Sequence, residues 1–184
     1  MAKKDLSTIH EVTDFSGFHT LIHYSPEPHW NPFDDRKVIY FYGGPLSNFY
    51  PAPIQVEDKI WPTVEHFYQA YKTVNQKQQE QIRNTDDPWE VKRMGNGCEL
   101  RPDWEKIKDS VMLVALRAKY GQHEQLRRFL VSTEPYLLAE DSPTDDYWGI
   151  ANNGQNMLGE LLIKVRRELI REVEAKQIKF NFEG

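Results

Sequence analysis

Glu65, Gln69 and Lys72 recur at i, i+4 and i+7 in Trp61-Pro62-Thr63-Val64-Glu65-His66-Phe67-Tyr68-Gln69-Ala70-Tyr71-Lys72. In a helix capped by Thr63, that spacing brings a carboxylate, an amide and an amine near one face, with Tyr68 beside them. An acid–base group and an amine facing one space among aromatic rings suit chemistry on a sugar or a nucleobase. The competing reading is an ion pair on a solvated helix face. The flanking Phe67, Tyr68 and Tyr71 weigh against it.

A second polar stretch is Asp145-Asp146-Tyr147-Trp148-Gly149, followed by Asn152-Asn153-Gly154-Gln155-Asn156. It reads as a loop entering a long helix. The amides of that helix N-terminus and the Asn side chains form a natural anion or sugar-hydroxyl site, and Trp148 is placed to stack on a base. The alternative is an ordinary capped loop, with Asn156 as N-cap and Trp148 in the core. Gly43-Gly44-Pro45 and Gly95-Asn96-Gly97 fit either a close backbone approach to phosphate or plain turns.

Other chemistries are set aside. The six histidines are scattered, and none pairs at metal-ligand spacing with a third partner nearby, so no metal site is expected. Cys98 has no CxxC partner and reads as an inert thiol. No Walker loop and no dinucleotide fingerprint is present, and no cofactor is expected.

Positioning these residues takes two kinds of element. Residues 1–62 read as short strands and loops: Phe18 to Tyr24 and Lys37 to Tyr42 as strands, Pro26 to Pro32 as a loop, and Gln55 to Ile60 as a hairpin turning at Glu57-Asp58. From Thr63 onward the chain reads as mostly helical. Asp87-Pro88 starts one helix. Pro102 opens a longer one, with Trp104, Ile107, Val111, Val114 and Leu116 as its apolar positions and Gly121 at its end. Glu124 to Val131 is a further amphipathic piece. Asn156 to about Glu174 is the last helix, with Leu158, Leu161, Leu162, Val165 and Leu169 on one side and Lys164, Arg166, Arg167 and Arg171 on others. The expected class is mainly α with a small β portion, an α+β domain. Its expected bounds are 38–175, with an N-terminal extension over 1–37 and a tail over 176–184.

The chain has 184 residues, enough for one domain with a sizeable core. Lys plus Arg number 23 against 28 for Asp plus Glu, a net charge of -5, which argues against a broad nucleic-acid surface while leaving room for a local phosphate pocket. No apolar run is long enough to span a membrane, and the first residues lack the apolar core of a signal peptide. With the single Cys98, this reads as a soluble cytoplasmic protein with no membrane partner. The sequence leaves the oligomeric state open. Aromatic residues concentrate within 15–71, beside Pro and Gly, where they either line a shallow site or plug the core of a loop-rich half.

Seven motifs occur in order: Leu46-Ser47-Asn48-Phe49, Trp61 to Ala70, Arg93-Met94-Gly95, Arg101-Pro102-Asp103-Trp104, Ala115 to Tyr120, Tyr147-Trp148-Gly149 and Asn156-Met157-Leu158-Gly159. Together they resemble the YbiA-like or NADAR (NAD and ADP-ribose) family, from about Tyr40 to Leu169. The resemblance implies a compact, mainly helical fold and N-glycosidase activity on the bond between ribose C1 and an amino nitrogen. Two substrate types go with it: phosphoribosylamino-pyrimidine intermediates of riboflavin synthesis, and guanine carrying ADP-ribose on its amino group, as in DNA modified by a DarT-type toxin. Glu65 falls on the family's catalytic glutamate and Lys72 on the lysine after the Glu-His motif, and Asp145 joins them as a catalytic candidate. The motifs supply Ser47, Asn48, Phe49, Tyr68, Arg93, Gly95, Trp104, Trp148, Gly149 and Asn156 as substrate-binding candidates, and the polar loop before the last helix adds Asn153. Riboflavin-linked members often carry an acidic residue after Trp-Gly. Here it is Ile150, which shifts the preference to ADP-ribosyl-guanine.

Cleaving a ribosyl C–N bond builds positive charge at C1 and the ring oxygen. A carboxylate such as Glu65 stabilises that charge, activates water or shuttles a proton. Lys72 has two available roles: holding Glu65 ionised or binding phosphate as a cation, or attacking C1 as an amine to open the ribose to a Schiff base. The expected partner is an ADP-ribose-containing or ribosylamino nucleotide, with modified DNA as one source. The acidic balance then implies few phosphate contacts and a target base reached single-stranded or flipped, with Arg93, Arg101 and Lys119 as phosphate contacts by charge alone. Two readings of other classes stand beside catalysis. One is a non-catalytic module binding ADP-ribose or NAD-like ligands. The other is a structural partner protein that uses the aromatic-rich N-terminal half.

Overall fold

A computed structural model describes His23–Tyr24 and residues 38–183. The N-terminal extension 1–37 and the Pro26 to Pro32 loop lie outside the described residues, apart from His23–Tyr24. The architecture is α+β with helices predominating, as expected. The chain divides into two compact units, one made of Ser47–Glu124 and the other of the residues before and after it.

In the Ser47–Glu124 unit, β3 (Ile54–Val56) and β4 (Lys59–Trp61) pair antiparallel, Ile54 opposite Trp61. Glu57 takes the left-handed conformation at the turn, φ 54°, which closes the hairpin where the sequence placed it. Helix α1 (Val64–Tyr71) follows at once. Thr63 caps it, its hydroxyl accepting from the His66 N–H. Residues Val64 to Ala70 are all buried, because α1 packs on α2 (Gln76–Arg83), α3 (Pro88–Asn96) and α4 (Trp104–Gln122). The side chains of Asn75 and Asp87 cap α2 and α3, and Pro88 opens α3. Helix α2 is a polar, Gln-rich stretch with Ile82 its one buried residue, so its amphipathic signal is weak.

Helix α4 buries Val111, Met112, Ala115, Leu116, Lys119 and Tyr120. Val114, expected on the apolar side, is 42% exposed. At about 100° per residue it lies nearly opposite Met112. Trp61, Phe67 and Tyr71 form one ring cluster, with centroids 4.2 to 6.2 Å apart. Trp61 and Phe67 are fully buried, so these aromatics plug a core.

In the other unit, β1 (His23–Tyr24), β2 (Val38–Phe41) and β5 (Leu137–Glu140) form a sheet in that order. β2 runs antiparallel to β1 and parallel to β5, with Val38 opposite Leu137 and Phe41 opposite Glu140. Every residue of β2 is buried, the continuous apolar run typical of a strand in a parallel pair. Helix α5 (Glu124–Ser132) precedes β5, and α6 (Met157–Glu183) packs on it. The approach is close at Gly159, where a Cβ would collide with the Leu138 carbonyl. α6 continues to Glu183, beyond the expected end near Glu174 and through the residues read as a tail. Arg166, expected on a polar side of α6, is buried. Its Nη1 donates to the Thr133 and Tyr136 carbonyls at 3.0 and 2.9 Å, and its Nε lies 2.8 Å from the Glu134 carboxylate. Those partners tie α6 to the turn before β5.

Candidate active site

The Thr63 cap and the packing of α1 fix Glu65 on the first turn of the helix. Its N–H donates to the Asn48 carbonyl at 3.1 Å, and its side chain is 4% exposed. Gln69, one turn on, donates from Nε2 to Glu65 Oε1 at 2.7 Å. Gln69 is itself buried and lies against α3 at Gly95, where any Cβ would occupy the place of its amide. The carboxylate is therefore oriented by an amide that packs against Gly95.

Lys72 is the C-cap of α1 and is half-buried. Its Nζ donates to Asn96 Oδ1 at 2.9 Å and stands 5.6 Å from the Tyr68 ring centre. Its carbonyl accepts from the Arg101 N–H at 2.8 Å, and Arg101 pairs with Asp103 at 2.6 Å. Tyr68 is backed by Trp104, with centroids 5.0 Å apart. Trp104 is buried, so it supports Tyr68 rather than offering a face of its own. Glu65, Tyr68, Gln69, Lys72, Gly95 and Trp104 are thus brought together by α1, α3 and α4.

His66 points elsewhere. Its Nε2 faces the Thr85 carbonyl at 2.7 Å and its Nδ1 the Thr63 hydroxyl at 2.8 Å. A carbonyl only accepts, so Nε2 carries the proton and Nδ1 accepts. Burial holds the imidazole pKa below 6.5. The Glu-His motif therefore divides into a candidate site residue and a structural one. Cys98 donates to the Gly95 carbonyl at 3.1 Å, and burial raises its thiol pKa, which keeps it unreactive.

Ser47 and Asn48 are buried in the turn before β3, where Ser47 Oγ accepts from the Phe49 N–H at 3.2 Å. Asn48 Oδ1 is buried without a hydrogen-bond partner among the described residues. Phe49 packs on Trp89, with centroids 4.7 Å apart, and Trp89 is 58% exposed. Arg93 is exposed and paired with Glu90 in its own helical turn.

Asp145, Trp148, Gly149, Asn153 and Asn156 belong to the other unit. Asp145 Oδ1 accepts from the N–H groups of Tyr147 and Trp148, at 3.1 and 2.7 Å, and shapes the loop. Trp148 is half-buried, edge-on to Tyr147. Asn153 is exposed, with φ 60°. The expected anion site at the start of α6 is not available. The N–H groups of Asn156, Met157 and Leu158 donate to the carbonyls of Gly149, Tyr147 and Trp148 at 3.0, 3.0 and 3.1 Å. The loop backbone satisfies the orphan amides that an anion would otherwise take. Nor is Asn156 a side-chain cap: it is buried at φ 55°, accepting from the Glu140 N–H at 3.0 Å and donating to the Leu138 carbonyl at 2.8 Å. It holds the end of β5.

The NADAR domain model matches residues 40–170 of the chain. The chain belongs to the NADAR family. N-glycosidase YbiA of Shigella boydii serotype 4 is 43% identical over 144 residues, covering 73% of this chain and 90% of that protein. The NMR structure of the E. coli protein YbiA superposes with a TM-score of 0.69 at 42% identity, over 73% of this chain and 86% of that one. The chloroplastic riboflavin biosynthesis protein PYRR of Zea mays is 34% identical over 175 residues, 82% of this chain and 28% of that protein. The expected activity class, an N-glycosidase, is therefore the class of this NADAR chain, and the riboflavin-linked alternative also has a named counterpart.

Two residues of this NADAR chain gain weight only from the structure. Gln69 stood in the opening motif, but nothing in the sequence shows its amide wedged against Gly95. Lys119, read from its charge as a phosphate contact, is fully buried on α4. Its signal was its place among apolar neighbours, between Ala115, Leu116 and Tyr120.

Among the described residues, no group of three or more His, Cys, Asp or Glu could hold a metal ion, and no helix is long and apolar enough to cross a membrane.

Proposed function

We propose that this chain removes ADP-ribose from the amino group of ADP-ribosylated guanine, with Glu65 as the group that stabilises charge at ribose C1 and manages the proton. The observation that carries this reading is the buried Glu65 carboxylate, oriented by Gln69 at 2.7 Å on the first turn of α1. Hydrolysis adds water across the C1–N bond, giving free ADP-ribose and guanine with its amino group restored. As the bond breaks, the carboxylate faces an oxocarbenium-like ribose, and a fixed anion needs no reorganisation to stabilise it. Lys72, beside Tyr68, offers a cation for a phosphate or, as the neutral amine, a nucleophile for C1 that opens the ribose to a Schiff base. Asn48 Oδ1, buried and lacking a donor, suits a ligand N–H. The guanine is presented as a nucleotide or in unpaired DNA, because the net charge of -5 does not suit a grip on a duplex. A cytoplasmic setting fits the single cysteine.

The second reading is hydrolysis of a phosphoribosylamino-pyrimidine, favoured by a relative named for riboflavin biosynthesis. A side-by-side assay of ADP-ribosyl-guanosine and a phosphoribosylamino-pyrimidine separates them. Free ADP-ribose is expected from the first, with a loss of about 10²–10⁴-fold in Glu65→Gln while binding persists. Turnover of the pyrimidine alone moves the assignment to the second reading. Binding of both with release from neither overturns catalysis and leaves a binding module.

A further inference from the structure

Lys119 is fully buried on α4. Its Nζ donates to the Ser47 carbonyl at 2.8 Å and lies 5.4 and 5.2 Å from the ring centres of Tyr50 and Tyr120. Among the described residues, those two phenols are the titratable side chains beside it, and no carboxylate pairs with it. A buried cation without an acidic partner is costly, and only a hydrogen bond and two ring faces offset the cost here.

The Ser47 carbonyl also accepts from the Tyr50 N–H at 3.3 Å, so the turn is held through both lone pairs of one oxygen. The next carbonyl, that of Asn48, accepts from the Glu65 N–H at 3.1 Å. That N–H is one of the first-turn amides a helix leaves unpaired. The path from the Lys119 ammonium to the Glu65 backbone is therefore two hydrogen bonds and one peptide unit, all within the Ser47–Glu124 unit.

We propose that Lys119 is a positioning residue: its ammonium pins the Ser47–Asn48 turn, and that turn sets the place of Glu65 at the start of α1. The proposal rests on the reading of Glu65 as the catalytic group. Burial pulls the Lys119 pKa from 10.5 down to about 7. Near neutral pH the tether therefore alternates between a charge-assisted hydrogen bond and a weaker neutral one. Burial holds His66, the neighbour of Glu65, below 6.5.

The test follows the Glu65 backbone amide of the wild-type protein by NMR, together with turnover of ADP-ribosyl-guanosine by wild type, Lys119→Met, Lys119→Arg and Glu65→Gln. The Glu65 amide shift is expected to titrate with a midpoint near pH 7. Wild-type kcat is expected to fall above that midpoint at constant KM. In Lys119→Met the step disappears, kcat drops by about 10²-fold, as a misplacement near 1 Å does, and the Glu65 amide exchanges faster. In Lys119→Arg, which stays charged, the step also disappears, but kcat no longer falls above neutral pH. A Glu65 amide that does not titrate in the wild type overturns the proposal even if every variant misfolds. A Lys119→Met enzyme with wild-type kcat and pH profile beside an inactive Glu65→Gln overturns it as well. An active Glu65→Gln removes the catalytic reading of Glu65 instead, and the amide titration still decides the tether.

Discussion

At the residue scale, the carboxylate of Glu65 depends on two neighbours that do no chemistry. Gln69 gives it a hydrogen bond, and Gly95 gives Gln69 its place. Gly to Ala inside an exposed helix usually stabilises by about 1 kcal/mol. At Gly95 the new methyl meets the Gln69 amide, so Gly95→Ala is expected to lower kcat at least tenfold with no gain in melting temperature. A variant at wild-type activity shows that the amide need not stay where it is. Lys72 is the other residue-scale question. If its amine attacks C1, borohydride added during turnover reduces the Schiff base to a stable adduct on Lys72, visible by mass spectrometry. Turnover without an adduct leaves Lys72 as an electrostatic group, held by Asn96 and lying over the Tyr68 ring.

At the element scale, α1 is kept in register by its ends. Thr63 caps one end and shares its hydroxyl with His66, whose other nitrogen reaches the Thr85 carbonyl beyond α2. The Lys72 carbonyl at the far end receives the Arg101 N–H. Burial lowers the His66 pKa from 6.5, so the unfolded chain takes up a proton that the folded one refuses. The unfolded state binds more protons below 6.5, and stability must fall as pH drops through that value. His66→Gln is expected to flatten the loss in thermal melts between pH 7 and 5. An unchanged slope assigns the acid sensitivity to other groups. Thr63→Ala is expected to cost about 1 kcal/mol through the lost cap.

At the scale of the whole molecule, the buried Lys119 extends the same trend to higher pH. Its folded pKa of about 7 lies below the 10.5 of the unfolded chain, so between those values the unfolded state holds the extra proton. Stability therefore rises as pH climbs from 7, by on the order of 1 kcal/mol per pH unit. Burial also raises the pKa of Tyr120, so the unfolded phenol ionises first and stability falls again above about pH 10. Urea unfolding is expected to give a maximum between pH 8 and 10 that Lys119→Met moves toward neutrality. A wild-type optimum below pH 7 contradicts the cost assigned to the buried ammonium.

The local elements around the site were legible because their signals are local. Thr63, Asp87-Pro88 and Glu57-Asp58 each fix a cap or turn through atoms a few residues away. The ordered motifs pointed to the family, and Glu65 stood out by residue type and spacing. Strand β5 was not legible: it is four residues long, and its parallel partner β2 lies far upstream. The roles of Asn156, Arg166 and Lys119 were not legible either. A polar side chain is buried only where distant backbone atoms offer it partners, and sequence spacing does not reveal those. Asn156 finds Leu138 and Glu140, Arg166 finds Thr133 and Tyr136, and Lys119 finds Ser47. The sequence by itself determined which helix carries the carboxylate. Tertiary packing decided what holds that carboxylate still, because the wedge of Gly95 and the tether to Ser47 exist only once α3 and α4 lie against α1.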